Sequence, residues 1–114
     1  MAGISSGAIE ASKAVSIERN KILSVHVMCN GNNSGSDSLV IKIWDSRPET
    51  NGEYAVGGTQ SKTKEILRVA LNKNYSADAF HLEQDLHGVM VNKGIYVEFV
   101  TTGSGTATVF VNYA

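Results

Sequence analysis

The sequence predicts an all-β protein: a single antiparallel β-sandwich, jelly-roll-like, with seven to eight short strands. Three observations predict it. Apolar and polar residues alternate with a period of two in run after run, which gives a strand one apolar face. Clusters of Gly, Asn, Ser and Asp separate these runs about every ten residues. No stretch carries a long 3.6-residue periodicity, and no fixed repeat marks a propeller or solenoid.

The opening stretch MAGISSGAIEASKAV lacks a sustained pattern. It is expected to form a flexible N-terminal arm over residues 1–15, with the sandwich domain over 16–114. In ILSVHVMC, Leu23, Val25, Val27 and Cys29 share one face, while Ser24, His26 and Met28 share the other. The turn-forming cluster NGNNSGSD follows, and SLVIKIWD then places Leu39, Ile41 and Ile43 opposite Val40, Lys42 and Trp44. Ser46 to Lys62 is a long polar stretch holding the only proline, Pro48, and the turn signals Asn51-Gly52 and Gly57-Gly58. It reads as an extended loop, with room for a short hairpin at Glu53 to Val56.

KEILRVALN gives the next strand. SADAFHLEQDLHG fits either a short helix capped by Ser76 or a strand followed by a turn at Gly88; so short a helix is marginal alone, and the strand is preferred. VMV, GIYVEFV and TATVFVNY complete the series, the last two flanking the glycine turn TTGSG. The terminal strand has apolar residues on both faces, Val109 and Val111 one way and Phe110 the other. Such a strand is either covered on both sides or meets another chain with its outer face.

Composition narrows the function. A chain of 114 residues suits one domain, hiding roughly two-thirds of its extended surface on folding. An apolar content of 42% excludes disorder. The net charge of −1, with both signs interspersed, supplies no basic face, so no nucleic-acid partner is expected. The single cysteine, Cys29, forms no intrachain disulfide and reads as a buried, unreactive thiol. With neither a secretory leader pattern nor an apolar run of membrane-spanning length, no membrane association is expected, and synthesis is expected in the cytoplasm.

Reactive motifs are sparse. His81, Glu83, Asp85 and His87 would share a face of a fully extended strand, the one metal-ligand pattern available, yet a solvated strand end is the preferred reading. There is no nucleophile elbow, phosphate loop or dinucleotide fingerprint. The chain is therefore read as no enzyme, with no cofactor and no metal; a small cupin-like metalloprotein is the enzyme-class alternative. Trp44, Tyr54 and Tyr75 are candidates for a sugar-stacking platform, although a tryptophan in such a fold more often covers the core.

An ordered set of features carries a resemblance. ILSVHVMCN leads into a Gly/Asn/Ser loop, LVIKIWDS ends in Trp44-Asp45, and ILRVAL precedes GVMVNKGIYVEFVTTGSGTATVFVNY. Over roughly residues 20 to 113 this resembles the small β-sandwich virion structural proteins of tailed bacteriophages, the capsid decoration and head accessory proteins. The polar stretch from Ser46 to Lys62 is longer than that family's pattern. The resemblance implies a late protein on the virion's capsid surface that bridges copies of the major capsid protein, as a homo-oligomer with a trimer favoured. It assigns no chemistry: Gly94 would permit a bend and Asp45 would cap a turn. The residues expected at protein interfaces are Phe110, Asn112, Trp44 and Tyr54, together with the N-terminal arm. A carbohydrate- or receptor-binding module of a phage tail or fibre is the alternative.

Overall fold

The computed structural model describes residues 3–29, 38–46, 64–72, 81–102 and 107–114. The described residues form eight strands and no helix: β1 (Ile4–Ser5), β2 (Lys13–Ser16), β3 (Asn20–Cys29), β4 (Ser38–Asp45), β5 (Lys64–Asn72), β6 (His81–Val91), β7 (Ile95–Thr102) and β8 (Ala107–Tyr113). They make two four-stranded sheets, in the orders β1-β8-β3-β6 and β2-β7-β4-β5, and every pairing is antiparallel.

The orders have a simple origin. β1 pairs with β8, β2 with β7, β3 with β6 and β4 with β5. The chain is thus one long antiparallel ribbon closed between β4 and β5, then rolled so that β8 meets β3 and β7 meets β4. That winding is a jelly roll, the two-sheet arrangement the alternation predicted.

The core follows the period of two. Leu39, Ile41 and Ile43 of β4 and Val109 and Val111 of β8 point inward, with Ile95 and Val97 of β7 and Val69 and Leu71 of β5. Strand β3 departs from strict alternation. Ile22 and Val25 are both buried because a bulge between Ile22 and Ser24 inserts one residue against β8, leaving Leu23 half-buried at the rim. A second bulge, between Ile43 and Trp44 of β4, sets Ile66 of β5 between two paired positions.

Two sequence expectations change. Residues 1–15 are not a flexible arm throughout: β1 pairs with β8, β2 pairs with β7, and Ile9, bridged to Val109, is only 2% exposed. The physical reason is that the ribbon needs β1 and β2 to complete both sheets, a long-range pairing that no local pattern displays. The strand expected before Gly88 and the short VMV run are also one element, β6. Its continuity survives the apparent turn because His87 and Gly88 take positive φ values of 52° and 78° and form a bulge. Tyr54, Tyr75, Ser76, the Glu53–Val56 hairpin and the turn glycines Gly103 and Gly105 lie outside the described residues, as does the side chain of Cys29.

The chain crosses from β6 in one sheet to β7 in the other at residues 92–94, and Asp45 holds this crossing. Its buried carboxylate accepts the Lys93 N–H at 2.8 Å, the Asn92 N–H at 3.0 Å and the Gly94 N–H at 3.4 Å. Gly94 returns a backbone bond by accepting the Ser46 N–H at 3.2 Å. A Cβ on Gly94 would sit on the Ser16 carbonyl oxygen and 2.9 Å from that of Ser46, and its φ of +156° suits no side chain. Ser16 ends β2 with its hydroxyl donating to Asn20 Oδ1 and accepting the Glu18 N–H at 3.2 Å. Both crossings therefore converge on one corner.

Three stability losses are expected by urea unfolding. Ile9→Ala should cost about 2–4 kcal/mol, as for a core aliphatic; a loss below about 1 kcal/mol would mean the N-terminal segment is not part of the cooperative core. Asp45→Ala should cost about 3 kcal/mol by stranding buried N–H groups. Gly94→Ala should cost more than about 2 kcal/mol, because backbone oxygens cannot yield as a flexible side chain would.

Candidate functional site

With the inner faces committed to the core, the surfaces that the described residues offer are the two outer faces and the sheet edges. On the outer face of the β2-β7-β4-β5 sheet, pairing fixes three rows across β7, β4 and β5. They are Val100–Val40–Ala70, Glu98–Lys42–Arg68 and Tyr96–Trp44–Glu65. Side chains in one row stand side by side on one surface. Trp44 is half-buried there, faces away from the core, and donates its indole N–H to Glu98 Oε1 at 3.1 Å. Val100, at 44% exposed, leaves an apolar row open to solvent at the end of β7.

The charges on this face are organised. Arg68 Nε and Nη2 donate to the two Glu65 oxygens at 2.7 and 2.9 Å, a bidentate pair. The hydrogen bond from Arg68 holds the Glu65 carboxyl below its ordinary range, and the same bond raises Arg68. The pair therefore stays ionised to lower pH than an isolated glutamate would. With Lys42 and Glu98 included, the rows carry two positive and two negative groups and no net charge.

The outer face of the other sheet is built from β8, β3 and β6. The rows here are Thr108–Met28, Phe110–His26–Glu83 and Asn112–Ser24–Asp85. Phe110 is half-buried, and its ring centroid lies 6.0 Å from that of His26 at a tilt of 41°. Such tilted ring contacts lie within the range favoured by aromatic quadrupoles. Asn112 is exposed and donates its amide to Ser24 Oγ at 3.3 Å. Met28, 37% exposed, extends the apolar part of this surface.

The β6 bulge opens a cleft of about 370 Å³ lined by Lys21, Leu23, Asp85, His87, Gly88 and Ala114. His87 donates its backbone N–H to Asp85 Oδ1 at 2.8 Å, and its Nδ1 lies 3.5 Å from the same oxygen. Both side chains project well into solvent. The bulge also takes His87 out of the run of positions 81, 83 and 85, since two extra β6 residues intervene between the pairs Ser24–Asp85 and Ile22–Val89. Among the described residues no group of three or more His, Cys, Asp or Glu is placed to hold a metal. The bulge has an architectural use: β6 is an edge strand, and an irregular, charged edge resists pairing with a second sheet.

Of the interface residues expected from sequence, Phe110 and Asn112 lie on one outer face and Trp44 on the opposite one, so they form two surfaces rather than one. Tyr54 lies outside the described residues. Trp44 is not a core residue; its neighbours are Tyr96 and Glu98, which the sequence reading passed over. His26 was visible as a residue on a polar face, but its contact with Phe110 depends on the β3–β8 register. Comparison with known proteins adds nothing to this geometry: no family model, no curated protein and no solved structure matches the chain.

Proposed function

We propose that this chain is a bacteriophage virion structural protein, a decoration or cement protein that binds the outer capsid surface and stabilises the head by bridging subunits. One observation carries the reading: Phe110 stands on the outer face of a four-stranded sheet, half-buried against His26, with Met28 beside it. The sheet's other face already supplies the core, so this ring has no part in closing the sandwich. A large apolar group on a sheet surface contributes most when a second surface covers it. The sequence resemblance to virion proteins supports the choice of the major capsid protein as that surface.

The mechanism is passive adhesion. Burial of the Phe110–His26–Met28 surface would supply the apolar core of the contact, and Asn112, Ser24 and Glu83 would form its polar rim. Many modest contacts around a shell multiply through effective concentration, so no single interface must be tight.

A second reading, a carbohydrate- or receptor-binding module of a tail or fibre, draws on Trp44 beside Tyr96 with Glu98 as a hydrogen-bond acceptor. Aromatic faces flanked by a carboxylate suit sugar stacking. Titration with a glycan panel separates the readings, because the only tryptophan reports directly on that face. A saturable change in its emission supports the second reading.

Under the virion reading the protein should co-purify with intact particles and bind expanded shells but not immature ones. Mass spectrometry of purified virions that lacks this chain would end the reading. Phe110→Asp should reduce particle binding by at least about tenfold while the melting curve shows a folded protein. Loss of folding in that variant would instead assign Phe110 to the core.

A further inference from the structure

We infer that the outer face of the β2-β7-β4-β5 sheet is a self-complementary surface that joins two copies of this chain about a twofold axis running along β4. The inference concerns a different face from the one assigned to the capsid, and it names a second copy as the occupant. It stands on the charge map. Across β7, β4 and β5 the middle row reads Glu98–Lys42–Arg68, acidic at one side and basic at the other.

Two copies of a sheet face can meet about an axis along the strands or across them. An axis across the strands, along the middle row, sets Glu98 against Glu98 and Arg68 against Arg68. Both contacts are repulsive. An axis along β4 exchanges the two sides, so each Glu98 faces Arg68 of the other copy, twice per dimer. The same operation puts Val40 on Val40, Val100 on Ala70 and Trp44 on Trp44, matching the apolar row with itself. Lys42 lies on the axis and meets Lys42 of the other copy, a like-charge contact that both orientations share, with Glu98 of its own chain beside it in the row. A face carrying two cations and two anions imposes no net repulsion on its copy.

Exposure agrees with an unfilled surface. Val100 is 44% exposed, Ala70 is exposed, and Val40 and Trp44 are half-covered. Size sets the strength: three strands about 4.8 Å apart and two pleat repeats give a core well under the ~800 Å² per partner of a standard interface. The dimer is accordingly weak, with half-dissociation in the micromolar to millimolar range. In this geometry a closed pair replaces the trimer favoured from the sequence. On a capsid lattice such a pair would leave both Phe110 faces on the outside, directed away from the dimer seam.

Charge exchange tests it. Sedimentation equilibrium of the purified full chain, from micromolar to millimolar concentration, is run on wild type, Arg68→Glu, Glu98→Arg and the double variant. Wild type should approach the dimer mass, and each single reversal should weaken association at least about tenfold. The double variant restores opposite charges across the seam and should recover to within about threefold of wild type. Val100→Ser, which alters no charge, should also weaken the dimer, and near-ultraviolet circular dichroism checks that each variant is folded. A wild type that stays monomeric, a trimer mass, or a double variant no stronger than the singles overturns the inference. Because only the purified chain is used, absence of the protein from virions would remove the capsid reading and leave this result standing.

Discussion

The Asp45 carboxylate ties the two sheets together where the chain passes from one to the other. It is the last residue of β4 and belongs to one sheet, while the N–H groups it accepts belong to the segment bringing β6 of the other sheet into β7. A rolled ribbon must change sheets at each end, and every change leaves backbone donors without a ladder partner. Burying them unpaired would cost on the order of 1–3 kcal/mol apiece. One carboxylate side chain satisfies several at once, and Gly94 lets the crossing strand approach closely enough for Ser46 to donate to it. The Trp44-Asp45-Ser46 triplet and the glycine at 94 are thus two halves of one joint, 49 residues apart in sequence.

That joint fixes which faces remain for function. Once the ribbon is rolled, the inward residues of all the long strands fill a single core, and each sheet keeps one wet face. The two wet faces differ in chemistry. One is aromatic at its centre, built on Phe110 and His26; the other places ordered charges between an apolar row and an aromatic row. Two unlike faces can engage two unlike partners without competing.

Edges are treated as carefully as faces. The β6 edge is interrupted by a bulge whose central residue, His87, is a non-glycine at positive φ. The conformation carries a cost of about 1–2 kcal/mol that a plain strand would avoid. The compensation is an edge that resists uncontrolled sheet extension. Association by faces, with edges blunted, gives closed and countable contacts in place of open-ended ones.

The all-β class and the apolar faces of β4 and β8 were legible in the sequence, while Asp45 as a cap and Gly94 as a bend came from the resemblance. These are local properties: alternation shows which side chains share a face, and turn residues show where strands stop. That residues 4–16 complete both sheets, that β6 runs through Gly88, and that Ile22 rather than Leu23 enters the core emerged only in the folded molecule. Each of these depends on register between strands distant in sequence, and a single bulge shifts the phase of everything beyond it. The pairing of Phe110 with His26 and the charge row through Lys42 belong to the same class. Side-chain period is written into the chain, whereas the partner across the ladder is chosen only when the ribbon rolls.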